Sequence, residues 1–148
     1  MTMSKNIIII NGPNLNLTGK REKNIYGEKS FESYYNEDLV VYSKKMDLNL
    51  EYFQSNHEGA VIDKIHDCIE KKDFIIINPG ALTHYSYSIH DALIAVRIPS
   101  IEVHMSNIFS REGWRSNSVV SAAVTGIISG FGLKSYQLAL SYIAEQLV

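Results

Sequence analysis

The chain has one cysteine, Cys68, in 148 residues, which excludes an internal disulfide and any zinc cluster built on cysteine. No apolar run approaches the roughly 18 residues that cross a bilayer; the longest strong one is the tetrad Ile7–Ile10. Met1–Asn6 carries one lysine and no small-residue cleavage pattern ahead of that tetrad. No secretory signal is therefore expected, and the chain reads as a cytoplasmic protein without a membrane partner. Positive charge is not in excess: 14 Lys and Arg against 16 Asp and Glu leave a formal net charge of −2. Nucleic-acid binding calls for a basic face that neutralises several phosphates, so no nucleic-acid partner is expected. An anionic ligand would have to rely on a local cluster, Lys20–Arg21 or Arg111/Arg115. The G-x-G-x-x-G fingerprint, the G-K-[ST] of a phosphate loop and the G-x-S-x-G nucleophile elbow are all missing. A phospho-receiver domain would carry an acidic pair after its first strand, where this chain has Asn11 and Asn14.

What is present is an ordinary globular composition, 45% hydrophobic and 20% charged. The length suits a single domain over residues 1–148. Such a chain buries about two-thirds of its unfolded surface and needs no metal or disulfide to hold it. Asn6–Ile10 reads as a strand buried on both faces. Leu48–Phe53, Phe74–Ile77, Ser100–Val103 and Val124–Ser129 read as four more strands. Between them run helical stripes: Phe31, Tyr35, Leu39, Tyr42 and Met46 behind a Ser30 N-cap, then Val61, Ile62, Ile65, Cys68 and Ile69. A shorter stripe is Ile89, Leu93 and Val96, and a C-terminal one is Tyr136, Leu140, Ile143 and Leu147. Alternating strands and helices imply right-handed crossovers. The expected fold is α/β: a flavodoxin-like, doubly wound, five-stranded parallel sheet with helices on both faces.

In such sheets ligands bind beyond the carboxyl ends of the strands, near the switch in strand order. The segments Asn11–Leu17, Asn78–His84, His104–Asn107 and Gly130–Gly132 fall there. Gly12-Pro13 and Pro79-Gly80 by themselves predict only turns. Asn14, Asn16 and Asn78 read either as turn formers or as a polar cradle for a hydroxylated small molecule. The longest stretch without pattern, about 18–29, is of a length that often serves as a lid, and it carries Arg21, Glu22 and Tyr26. Ionising a phenol at pH 7 costs about 4 kcal/mol. One nearby cation lowers an acid's pKa by roughly 1–3 units. Arg21 and Arg115 together would therefore bring Tyr26 into range as a general base. His57, His66 and His90 sit on or beside helices, whereas His84 and His104 follow strands. Strand alternation puts Glu102 and His104 on one face. A carboxylate there orients the imidazole or favours its protonated form, as a general acid requires. The histidines match no compact zinc spacing, so neither metal nor cofactor is expected. Cys68 reads as core.

These residues stand in a recognisable order. Asn11-Gly-Pro-Asn-Leu-Asn-Leu17, Gly19-Lys-Arg-Glu22 with Tyr26-Gly27, Asn78-Pro-Gly-Ala81 with Thr83-His84, Glu102-Val-His-Met-Ser-Asn107, and Arg111-Glu112 with Arg115 together resemble the type II 3-dehydroquinate dehydratases, in register from about Ile7 to Leu147. The resemblance implies an enzyme without a metal or Schiff base that takes 3-dehydroquinate to 3-dehydroshikimate and water. The elimination is anti, through an enolate, in the shikimate or quinate pathway, and the subunits form trimers grouped into dodecamers. It places the base at Tyr26 beside Arg21, the general acid at His104, and a water-holding group at Asn14. Substrate contacts fall on Asn78, His84, Arg115 and the backbone amides of Met105 and Ser106, and Asp91 is the acid lent by a neighbouring subunit. Lys23, Leu82, Gly113-Trp114 and Asn117-Ser118-Val119 depart from the family's usual residues, and the Gly113-Trp114 pair, just before Arg115, is expected to tilt its guanidinium. Two other readings stay open: a non-catalytic flavin or nucleotide module, for which Pro13 removes a needed backbone donor, and a purely structural oligomer subunit.

Overall fold

The computed structural model describes residues 3–21, 23–26 and 28–146, with Ile25 and Tyr26 described in the backbone only. The elements run β1 (Lys5–Asn11), α1 (Lys23–Tyr26), α2 (Phe31–Tyr34), a π-helical turn (Tyr35–Leu39), α3 (Val40–Lys45), β2 (Leu48–Gln54), α4 (Glu58–Asp67), β3 (Phe74–Asn78), α5 (Tyr87–Val96), β4 (Ser100–His104), β5 (Gly126–Ser129) and α6 (Lys134–Gln146). The five strands form one sheet in the order β2-β1-β3-β4-β5, every pairing parallel. The chain winds first to one side of β1 and then to the other. This is the flavodoxin-like order, with its switch point between β1 and β3.

The isoleucine run of β1 shows why the sheet is covered twice. Ile7 and Ile9 join Ile76, Ile101 and Val103 beneath Phe31, Leu39, Tyr136, Leu140 and Ile143. Ile8 and Ile10 join Ile75 and Ile77 beneath Val61, Ile65, Ile89, Leu93 and Val96. With a side-chain period of two, consecutive isoleucines feed opposite cores. Each fully buried isoleucine contributes about 1.5–3 kcal/mol. The helices α2, α3 and α6 thus cover one face, and α4 with α5 the other.

The differences from the expected elements have physical causes. Four of the strands were read one residue or more too short: Asn11, Gln54, Asn78 and His104 are polar but continue the ladder. β5 begins at Gly126, because Val124 closes a short turn over Ser121–Ala123. Ser30 does cap α2, accepting from the Ser33 backbone N–H at 3.1 Å. The helix that follows is widened at Tyr35–Leu39. Its stripe spaces Phe31, Tyr35 and Leu39 by four twice, which outruns 3.6 residues per turn, and one wider turn returns the side chains to a single face. Ile69 lies beyond α4 and is half exposed. Leu147 lies outside the described residues. Cys68 is core as expected, and burial pushes its thiol up to about 11 despite Lys72 and Lys64 nearby.

The stretch read as structureless between residues 18 and 29 contains the single helical turn α1. Its start is anchored by the buried Thr18, whose hydroxyl donates to the Leu15 carbonyl at 2.8 Å. Its two ends meet at Gly19, which has φ +90° and so little room that a Cβ would lie 2.6 Å from the Glu28 carbonyl oxygen.

Candidate active site

The carboxyl ends of β1, β3 and β4 open onto a cavity lined by residues that include Asn14, Arg21, Asn78, His84, His104, Met105, Ser106, Arg111 and Arg115. These nine residues, all singled out from the sequence, are thus brought together. Glu102 lies behind the cavity, fully buried. Asp91 is exposed on α5 and does not line the cavity of its own chain. The Tyr26 side chain, like Glu22, lies outside the described residues, although the Tyr26 backbone closes α1.

The floor of the cavity is set by two turns that interlock. A Cβ on Gly12 would sit 2.5 Å from the Pro79 carbonyl oxygen, and one on Gly80 (φ +61°) would sit 3.0 Å from the Pro13 carbonyl oxygen. The Gly12 N–H donates to the Asn78 carbonyl at 2.8 Å. Gly12-Pro13 and Pro79-Gly80 are therefore one paired structure at the switch point and not two separate reversals. Asn14 holds a left-handed backbone (φ 70°), and its N–H donates to Asn56 Oδ1 at 3.0 Å. Its side chain makes no capping bond.

Glu102 and His104 do share a face, and His104 Nε2 meets Glu102 Oε2 at 2.5 Å. Burying a carboxylate is tolerable only when it is paired and hydrogen-bonded. Here Thr83 Oγ1 (2.5 Å), Ser118 Oγ (3.1 Å) and Ser121 Oγ (2.8 Å) also donate to it. Burial pushes the carboxyl up, but His104 and the hydroxyls outweigh it and hold Glu102 below the ordinary carboxylate value. Because a carboxylate only accepts, Nε2 carries hydrogen and Nδ1 is the ring nitrogen left for other work. His84 is fixed differently. Its Nδ1–H donates to the Asn117 carbonyl at 2.7 Å, and burial holds its pKa below the usual value, so at neutral pH Nε2 is an acceptor.

The backbone after β4 is tied back. Gly130 N–H donates to the His104 carbonyl (3.1 Å), Gly132 N–H to the Met105 carbonyl (2.9 Å), and Ser129 Oγ to the Ser106 carbonyl (2.9 Å). In a trans peptide the N–H points opposite to the C=O. The amides of Met105 and Ser106 are accordingly directed away from the Gly130–Gly132 side. Three guanidinium groups, Arg21, Arg111 and Arg115, add positive charge to the wall. Arg111 donates to Ser106 Oγ at 3.2 Å. Arg115 meets Glu112 at 2.7 Å, and its guanidinium lies 4.0 Å from the Trp114 ring centre. Trp114 also meets His84 edge-on at 5.1 Å, so this aromatic supports two cavity side chains at once.

Arg111 was named from the sequence as part of a candidate anion cluster, and it lines the cavity, although nothing in its spacing says that it faces Ser106. Two other features escaped sequence reading. Thr83, Ser118 and Ser121 are separated in sequence and converge only through the fold. Beneath the cavity the fully buried Tyr136 donates to Asn11 Oδ1 (2.9 Å) and accepts from Asn78 Nδ2 (2.8 Å), whereas its spacing announced only a core position on α6. Among the described residues no group of three or more His, Cys, Asp or Glu side chains is placed to hold a metal ion.

The sequence profile of the dehydroquinase class II family matches residues 5–144. The 3-dehydroquinate dehydratase of Caldicellulosiruptor bescii is 57% identical over 142 residues, covering 95% of this chain and 97% of that protein. That of Prochlorococcus marinus is 54% identical over 138 residues, covering 93% of each. The crystal structure of type II dehydroquinase from Butyrivibrio crossotus superposes with a TM-score of 0.91 at 48% identity, covering 95% of this chain and 97% of that one. The type II dehydroquinase from Propionibacterium acnes superposes at 0.92 with 43% identity, covering 98% and 99%.

Proposed function

The chain belongs to the dehydroquinase class II family, and from that premise we propose that it is a 3-dehydroquinate dehydratase whose cavity runs an anti elimination with a tyrosine base and a histidine acid. The observation that carries the reading is His104, pinned through Nε2 to a buried carboxylate at the edge of a cavity lined by Arg21, Arg111 and Arg115. An anionic, hydroxylated substrate fits such a wall, since guanidiniums stay charged in a closed site.

In this reaction Tyr26, ionised beside Arg21 and Arg115, takes the proton from C2 of the substrate. The released electron pair moves into the neighbouring ketone to give an enolate, and Asn14 holds a water against the enolate oxygen. The enolate then collapses to a conjugated enone as the C1 hydroxyl departs, and His104 Nδ1–H protonates it to water. Glu102 accepts from Nε2 throughout and stabilises the imidazolium before transfer. The amides of Met105 and Ser106, whose carbonyls are tied back, receive the substrate carboxylate. Asn78, His84 and Arg115 hold its remaining oxygens. The lid around α1 brings Tyr26 over the substrate and excludes water.

Assembly as trimers grouped into dodecamers belongs to the same reading, and Asp91, exposed on α5, is the group assigned to a neighbour's site. The product supplies aromatic biosynthesis through the shikimate pathway. The test is direct: purified protein given 3-dehydroquinate should generate the near-ultraviolet absorbance of a conjugated enone. No rise in absorbance at saturating substrate would reject the activity.

A further inference from the structure

Asn11 and Asn78 are partners on the last rung of the β1·β3 ladder, and Tyr136, from α6, reaches both. The hydrogen-bond polarity of this trio is forced from one end. The Gly80 N–H, which can only donate, points at Asn78 Oδ1 at 3.2 Å. Oδ1 is thereby fixed toward the turn and Nδ2 toward Tyr136. Nδ2 donates one hydrogen to the Tyr136 oxygen at 2.8 Å, so the single phenol hydrogen is free to go to Asn11 Oδ1 at 2.9 Å. Burial holds the phenol well above its ordinary value, outweighing the lowering pull of its bonds to Asn78 and Asn11, and it stays protonated and able to donate. Asn78 lines the cavity while only 2% exposed, and among the described residues the second hydrogen on Nδ2 has no partner.

We propose that Tyr136 is a positioning residue that sets the orientation of the Asn78 amide, so that Asn78 offers the substrate a hydrogen-bond donor and never an acceptor. The partner this selects is a substrate oxygen with a free lone pair, a hydroxyl or a carbonyl. The role rests on the dehydratase reading only in naming that substrate. Without the phenol oxygen, Nδ2 loses its acceptor and the amide is held by Gly80 alone, so it can rotate.

The test is steady-state kinetics on 3-dehydroquinate for the wild type, Tyr136→Phe, Asn78→Ala and the double variant, with thermal melting to follow folding. Tyr136→Phe should raise KM about tenfold, the cost of roughly one hydrogen bond, and change kcat by less than about threefold. In the Asn78→Ala background the same substitution should raise KM by less than about twofold, because there is no amide left to orient. An unchanged KM, or an equal rise in both backgrounds, overturns the proposal. If Tyr136→Phe does not fold, Tyr136→Met carries the same comparison: a flexible side chain fills the site without the phenol oxygen, and an equal KM change with and without Asn78 contradicts us. If the wild type does not turn over 3-dehydroquinate, the dehydratase reading fails by itself. The positioning claim is then read from a crystal structure of Tyr136→Phe, where an Asn78 amide left in its wild-type orientation would overturn it.

Discussion

At the residue scale, the proposed chemistry turns on how Glu102 keeps a charge while fully buried. Thr83, Ser118, Ser121 and His104 all donate to it, which offsets the cost of burial and leaves the carboxyl below its ordinary value. Glu102→Gln keeps the shape and removes the negative charge beside the His104 ring. We expect kcat to fall by about 10²-fold with KM little changed. A wild-type kcat would show that the carboxylate does no more than fill space. Pairing Glu102 with His104 was legible in the sequence because strand alternation is a strict period of two. The hydroxyls were not, since nothing local in Thr83 or Ser118 says which carboxylate each will meet.

At the element scale, the site exists because β1 and β3 end side by side and their turns interlock. Gly12 and Gly80 each admit the other turn's proline backbone, and neither position has room for a methyl group without movement of main chain. Gly12→Ala is expected to destabilise the protein by about 1–3 kcal/mol, as overpacking typically does. It should also raise KM, because the Asn78 carbonyl bonds to the Gly12 N–H. Chemical denaturation together with kinetics checks both, and a wild-type midpoint would contradict the packing argument. The strand and helix plan was readable from periodicity, since the Ile7–Ile10 run and the stripes of α5 and α6 are set by burial on fixed faces. Strand ends were not. Asn11, Asn78 and His104 look like loop residues by composition, yet the ladder carries them, and that extra residue places Asn78 and His104 on the cavity wall and Asn11 beneath it. The wide turn at Tyr35–Leu39 was likewise hidden, because a stripe spaced by four does not reveal where the helix will open to absorb it.

At the scale of the whole molecule, two groups tie stability to pH in the same direction. His84 titrates below its unfolded value, so between the two values the unfolded chain binds the proton that the folded imidazole refuses, and stability falls as pH drops below about 6.5. Glu102 also titrates below its unfolded value, so its contribution is complete above about 4.3 and is lost as pH falls through the depressed folded value. Melting temperature should therefore decline in two stages on acidification, and His84→Asn should flatten only the first. A single late step in the wild type would contradict this. The family and its reaction were legible because five short segments stand in register along almost the whole chain. The proposed assembly is not written in any one chain's periodicity, since an exposed group such as Asp91 carries no mark of a partner. The proposed elimination begins with a phenolate taking the C2 proton, and Tyr26→Phe removes that acceptor alone. Following enone absorbance with saturating 3-dehydroquinate, we expect turnover in this variant to fall at least about 10²-fold while the substrate still binds and the protein still melts as the wild type does. Turnover at the wild-type rate would contradict the mechanism.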